Sequence, residues 1–208
     1  MRARATAEVL RPEPMTLEAW ADLDEDEPGE LSQGRLVEEE APSNLHELVV
    51  AWLLRVLGNW AAPRRYIVFS SEHKLAVSAT RGRKADVCMY SPGTRLGARA
   101  SVSRTPPALI VEVLSPRARD VRRDRLEKLE EYAQFGVRWY WLLDPEARVL
   151  ELLELGNDGR YVHTRAVSEG QVQMAGFEGL TLDLSALWLE AEDLLSDEDE
   201  PGVESGQA

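Results

Sequence analysis

Two acids stand where a soluble fold must account for them. Asp86 opens the short apolar run D-V-C-M-Y, and Glu112 lies inside A-L-I-V-E-V-L-S. A carboxylate within I-V-E-V-L is costly to bury unless something pairs with it. Further on, R-A-R-D-V-R-R-D-R-L-E-K-L-E-E-Y reads as a helix, and in it Lys128 sits four residues after Asp124. Two acids on neighbouring strands with a lysine near by suggest a divalent-metal site of hard oxygen ligands. Such a centre polarises a phosphoryl oxygen and lowers the pKa of bound water, while an ammonium can position the attacking water or neutralise developing charge. The same residues admit a structural reading, in which Asp86 caps a turn and Glu112 forms a buried ion pair with Lys128 or an arginine.

The elements that must position these groups are legible in the periodicity. M-T-L-E-A-W-A-D-L has Thr16 as N-cap and Leu17, Trp20 and Leu23 at helical spacing. E-L-S-Q-G-R-L-V predicts a hairpin turning at Gln33–Gly34. Ser43 caps a long helix whose stripe runs through Leu45, Leu48, Val49, Trp52, Leu53, Val56, Leu57 and Trp60, and Pro63 ends it. Y-I-V-F-S-S and H-K-L-A-V read as strands. T-R-G-R-K has turn chemistry, so K-L-A-V and D-V-C-M-Y are expected to form a hairpin. A polar loop over 91–107 leads to A-L-I-V-E-V-L, whose continuous apolar character marks a strand covered on both faces. The helix Arg119–Phe135 is expected to turn Leu126, Leu129, Tyr132 and Ala133 inward, with Gly136 closing it. V-R-W-Y-W-L-L-D is a second buried strand, and strand–helix–strand implies a parallel pair. A hairpin turning at Asn157–Gly159, the run G-L-T-L-D-L and a short helix from Ser185 complete the order. The class is mixed α/β.

The chain has 208 residues, enough for one domain with a proper core. Residues 1–14 read as a flexible arm, 15–190 as the domain and 191–208 as an acidic disordered tail. The net charge is -13, with eight acids and no Lys or Arg from Glu190 onward. The first fourteen residues carry +1, which leaves -6 for Met15–Leu189. Within that body Arg55–Lys84 holds seven basic residues and one acid, Glu72. The overall balance neither excludes nor favours a polyanionic partner. Cys88 is the single cysteine, so no internal disulfide forms and a reducing, cytoplasmic setting is expected. No apolar run has the length of a membrane span, and the N-terminus lacks the apolar core of a signal peptide.

The series E-L-S-Q-G-R-L-V, S-N-L-H-E-L-V, R-K-A-D-V, P-A-L-I-V-E-V-L-S-P and D-R-L-E-K-L-E-E-Y-A-Q-F-G-V-R-W-Y-W-L-L-D-P resembles the Uma family, restriction-endonuclease-like proteins of the PD-(D/E)XK nuclease superfamily. The resemblance runs from about Met15 to the hairpin near Val162. It implies a restriction-endonuclease-like fold, a central mixed sheet flanked by helices, and Mg²⁺-dependent (or Mn²⁺-dependent) hydrolysis of DNA phosphodiesters. Carried over by position, Asp86 and Glu112 match the two motif acids, and Glu30 matches an acid that completes the metal shell. The carbonyl of Val113 joins them as a further ligand. Leu114 stands where the motif lysine is expected, and Lys128 on the following helix matches its replacement. Ala85 stands in place of the usual proline and Gln33 in place of a common aspartate. His46 also matches a family position, although a histidine near a helix N-terminus is first a packing or hydrogen-bonding residue. Cutting both strands of a duplex with one site per chain implies a homodimer.

Several residues have a plainer reading. Cys88 in V-C-M-Y is a small core residue, and His73 and His163 lack partners at zinc-ligand spacing. Arg117, Arg119, Arg122, Arg123 and Arg125 fit either phosphate contacts or a solvated helix face. A second reading of the whole chain is a non-catalytic interaction protein that keeps the fold and its buried acids for structure, which the acidic body and tail favour.

Overall fold

The computed structural model describes residues 9–11, 14–24, 27, 29–37, 41–115 and 123–196. Its centre is a six-stranded mixed sheet. In chain order the strands are β4 (Ile67–Ser70), β7 (Val87–Tyr90), β8 (Leu109–Val113), β9 (Trp139–Asp144), β10 (Val149–Leu155) and β11 (Tyr161–Val167). They lie side by side as β11-β10-β9-β8-β7-β4. Only the β8–β9 pair is parallel, with Glu112 beside Leu142 and Val113 beside Leu143. The antiparallel β7–β8 pair brings Val87 opposite Val111, so the start of β7 and the end of β8 share one edge of the sheet.

Every residue of β8 is buried, as a strand covered on both faces requires. Side chains alternate across the pleat. Leu109, Val111 and Val113 join Val87, Met89, Trp139 and Trp141 in the core beneath α2 (Asn44–Ala61), and Ile110 joins Cys88, Tyr90, Tyr132, Tyr140 and Leu142 on the opposite face. Ser43 caps α2 by accepting from the His46 amide at 3.1 Å. The opposite face is covered by an α-helix at Leu129–Phe135, α3, preceded by a π-helical turn at Arg123–Lys128.

A second sheet, ordered β1-β3-β2-β6-β5, comprises Val9–Arg11, Arg35–Val37, Glu30–Ser32, Arg81–Lys84 and Lys74–Ser78. Trp20 of α1 (Leu17–Ala21) is fully buried against it with Leu31 and Leu36. Thr16 caps α1 as expected. The β2–β3 hairpin turns at Gln33 and Gly34 with φ of 51° and 73°, the left-handed pair a tight hairpin needs. A two-stranded ribbon, β12 (Gln171–Gln173) and β13 (Thr181–Asp183), and helix α4 (Leu184–Ser196) close the chain.

The structure departs from the sequence reading in four places. K-L-A-V and D-V-C-M-Y are not a hairpin. R-G-R-K is itself strand β6, paired with β5, while β7 belongs to the other sheet between β4 and β8. Its polar letters misled because Arg83 is neutralised inside the fold. Val9–Arg11 pairs with β3, so part of the expected arm is an edge strand. Helix α4 runs on to Ser196, past the expected boundary at 190, with Ala191 fully buried. The π turn, finally, leaves Leu126 60 % exposed and turns Asp124, Lys128 and Glu131 inward beside Tyr132, which is buried as expected. Residues 1–8, 12–13, 119–122 and 197–208, on which other parts of these expectations fall, lie outside the described residues.

Gly82 stands opposite Leu31, and a Cβ there would overlap the Trp20 ring. Gly82→Ala should therefore lower stability by about 1–3 kcal/mol, as overpacking does. A urea midpoint unchanged from wild type would mean that Trp20 does not hold this position.

Candidate functional site

Glu112 faces α3 because β8 alternates, and the π turn supplies its counter-charge. Lys128 Nζ lies 2.9 Å from Glu112 Oε2, 3.2 Å from Asp124 Oδ1 and 3.7 Å from Glu30 Oε1. The second Glu112 oxygen accepts from the Tyr132 hydroxyl at 2.7 Å. Asp124 and Lys128, four residues apart within the π turn, both face inward, which sets them side by side. The extra residue of the π turn then re-aims the following helix so that Glu131 and Tyr132 share the inward face. Tyr140 on β9 donates to the Asp124 carbonyl at 2.9 Å and holds the turn against the sheet.

Behind Lys128 lies a second set of buried charges. Arg83 is fully buried; its Nε and Nη2 grip Glu131 at 2.7 and 2.9 Å, and its Nη1 donates to Glu30 Oε2 at 2.8 Å. The other Glu30 oxygen accepts from the Lys84 amide at 3.0 Å. Arg83 thus joins β2, β6 and α3 in a bidentate and a single contact, the geometry for which a guanidinium is suited.

Asp86 lies at the shared edge of β7 and β8. Its Oδ2 accepts from the Val113 amide at 2.7 Å, so the two strand ends are tied through the acid itself. His46 Nε2, from the first turn of α2, is 3.4 Å from the same oxygen. Asp86 and His46 side chains are 17 % and 15 % exposed, whereas Glu30 and Glu112 are 0 % and 2 %. The cluster therefore meets solvent on the Asp86–His46 side.

Electrostatics follow from this inventory. Burial pushes the Glu112 carboxyl up to about 8, because Lys128 offsets only part of it and the charges of Asp86, Asp124 and Glu30 add to it. Burial alone would depress His46, yet its hydrogen bond to Asp86 and the charges of Asp86 and Glu47 hold it above the ordinary histidine value. The Cys88 thiol is pushed up to about 12 by burial and by Glu112, which keeps it protonated and inert.

Of the residues singled out in the sequence, Glu112, Lys128 and Glu30 meet in one buried cluster, and Asp86 stands at its rim with the Val113 amide. Among the described residues, no three His, Cys, Asp or Glu side chains are grouped to hold a metal ion. Glu30 directs its oxygens at Arg83 and the Lys84 amide. Asp86, Glu112 and the Val113 carbonyl remain as oxygen donors, a set that suits Mg²⁺, which takes one or two carboxylates and keeps several waters. Sequence reasoning missed Arg83, Glu131 and the hydroxyl of Tyr132. The local pattern around Arg83 predicts a turn, and that around Tyr132 predicts only an apolar stripe. Of the arginine cluster, Arg125 pairs with Glu151 at 2.6 Å, and Arg117, Arg119 and Arg122 lie outside the described residues.

A mixed central sheet with helices on both faces is the restriction-endonuclease-like architecture. The Uma2 family model, described as "Putative restriction endonuclease", matches residues 15–185, and the chain belongs to that family. Among solved structures, the chain is similar to "a putative nuclease belonging to DUF820" from Anabaena variabilis, with a TM-score of 0.67 and 20 % identity over 85 % of this chain and 99 % of that one. At that identity the likeness speaks to the fold alone. A type IIG restriction endonuclease, BpuSI, aligns with a TM-score of 0.38 and 15 % identity over 76 % of this chain and 17 % of that one, too low a score to carry an argument. No curated protein matches the chain.

Burial raises the Glu112 carboxyl from 4.5 in the unfolded chain to about 8 in the folded one. The stability this carries is full below the lower value and is lost as pH rises through the upper one, with a limiting slope of about 1.4 kcal/mol per pH unit. Glu112→Gln should flatten the fall in unfolding free energy between about pH 5 and pH 8. His46, raised in the same sense, leaves a smaller residual slope. An equally steep profile in the variant would refute the assignment. Arg83→Ala removes the closest partner of two buried carboxylates, leaving Glu131 to Arg81 and Glu30 to Lys128 and the Lys84 amide, and should cost about 3–5 kcal/mol in denaturant unfolding. A loss below about 1 kcal/mol would mean that solvent reaches Glu30 and Glu131.

Proposed function

We propose that this protein is a metal-dependent nuclease that hydrolyses phosphodiester bonds in DNA. The observation that carries the reading is the junction at the β7–β8 edge: Asp86, Glu112 and the Val113 backbone come from two paired strands to one place, and the Lys128 ammonium reaches the same carboxylate from the π turn. Membership in a family described as a restriction endonuclease supports it. Asp86, Glu112 and the Val113 carbonyl would hold Mg²⁺ or Mn²⁺, which when bound polarises the phosphoryl oxygen and acidifies a water. Lys128, fixed by Glu112, Asp124 and Glu30, presents a positive charge that orients the attacking water and offsets charge growing on the phosphoryl group. Glu30 acts from behind, holding Lys128 and Arg83 in place. The partially exposed Asp86–His46 side is where the DNA backbone approaches. We assign a cytoplasmic setting on the single buried thiol, and for duplex cleavage a pair of chains with one site each.

The alternative reading, an interaction protein that retains the fold without turnover, draws on the same cluster: Glu112 has both oxygens hydrogen-bonded within the protein, as in a purely structural ion pair.

The two readings part on metal and on cutting. For the nuclease, Mg²⁺ or Mn²⁺ raises the melting temperature of wild type but not of Glu112→Gln, since a ligand that binds only the folded state stabilises it. Plasmid nicking requires the added ion, stops with EDTA, and falls by roughly 100-fold or more in Asp86→Ala and Lys128→Ala. Folded wild type that neither shifts with metal nor nicks supercoiled or single-stranded DNA would leave the interaction protein standing.

A further inference from the structure

Tyr132 is a fully buried residue on α3 whose ring is held edge-on to Tyr140 with centroids 5.3 Å apart. Tyr140 packs in turn on Tyr161 at 5.7 Å, so three tyrosines form a stack beneath the cluster. Their hydroxyls do different things. Tyr161 donates to the Val137 carbonyl at 2.6 Å and Tyr140 to the Asp124 carbonyl at 2.9 Å, both backbone atoms. Tyr132 alone of the three donates to a carboxylate, Glu112 Oε1, at 2.7 Å, while Lys128 holds Oε2 at 2.9 Å.

A glutamate has a flexible stem, and a strand residue fixes only where that stem begins. Two donors on opposite oxygens fix the plane of the carboxyl group as well. The hydroxyl is an O–H donor that cannot bring a competing positive charge, and its short bond to a carboxylate belongs to the stronger class. A carboxylate that binds metal is ordinarily held this way by a hydrogen-bonding partner behind it, and removing that partner weakens metal binding.

We infer that Tyr132 is a positioning residue: its hydroxyl sets the orientation of Glu112 so that this carboxylate can serve the divalent cation, in a role that rests on the function proposed above. Tyr132 touches neither DNA nor the ion; it acts through Glu112.

Tyr132→Phe keeps the ring and its contacts with Tyr140 and deletes only the donor. Tyr161→Phe is the matched control, since it removes a tyrosine hydroxyl from the same stack with no link to a carboxylate. Mn²⁺ is titrated against the melting temperature of each full-length variant. The Mn²⁺ concentration at half-maximal shift should rise by roughly 10-fold or more in Tyr132→Phe and stay at the wild-type value in Tyr161→Phe, whatever either does to the melting temperature without metal. In wild type, Mn²⁺ should also perturb a tyrosine ultraviolet band in difference absorbance, a change absent from Glu112→Gln; this readout holds even where Tyr132→Phe does not fold. A wild-type midpoint in Tyr132→Phe, equal losses in both variants, or no tyrosine perturbation in wild type overturns the positioning role while the nuclease reading stands. A wild type that shows no Mn²⁺ shift at all removes that reading, and the role of Tyr132 with it.

Discussion

The arrangement depends on charge neutralisation in a place where water does not reach. Lys128, Arg83, Glu30, Glu112, Asp124 and Glu131 are all buried, and none would be tolerable alone. Arg83 ties the smaller sheet to α3 through Glu30 and Glu131, and Lys128 ties α3's leading turn to the larger sheet through Glu112. The relative placement of two sheets and a helix is thus set by groups with strict partners. Apolar side chains tolerate small slippage; a guanidinium bidentate on a carboxylate does not. Buried ion pairs of this kind contribute little net stability over a well-packed apolar substitute. Their value here is geometric, because the same contacts that hold the layers also hold Glu112 and Lys128 at one edge.

The setting of the cluster is as informative as its pairing. Arg83 answers Glu30 and Glu131, with Arg81 also on Glu131, while Lys128 faces Glu112, Asp124 and Glu30, and His46 stands beside Asp86. Burial raises the Glu112 carboxyl, and it does so next to Asp86, the acid of the cluster most open to solvent. A buried ionisable group with a perturbed pKa beside an opening is a common mark of a functional site.

Much of this was legible in the residue pattern, and the failures share a cause. The continuous apolar run around Glu112 identified a doubly covered strand, and the spacing of Asp124 and Lys128 identified their pairing. The capping residues Thr16 and Ser43 marked two helix starts correctly. R-G-R-K read as a turn because charged letters next to glycine are usually solvated, and nothing local announces that Glu30 and Glu131 wait for Arg83. Leu126 read as core because an α-helical count was applied to a π turn. The arm read as flexible although Val9–Arg11 finds an edge to pair with, and edge pairing depends on the partner strand being there.

The sequence by itself determined most of the strands and helices, R-G-R-K and Val9–Arg11 excepted, that Glu112 must be buried, and that Lys128 and Asp124 share a helix face. These follow from periodicities of two and about four residues, which act over a few neighbours. Tertiary structure alone decided which distant charges meet. Arg83 and Glu131 are 48 residues apart in the chain, Arg83 and Glu30 are 53 apart, and Tyr132 and Glu112 are 20 apart. Such partners are chosen by the stacking of sheets and the rotation of a helix. A carboxylate's need for a donor is written in its chemistry, but the identity of that donor is settled only when the layers close.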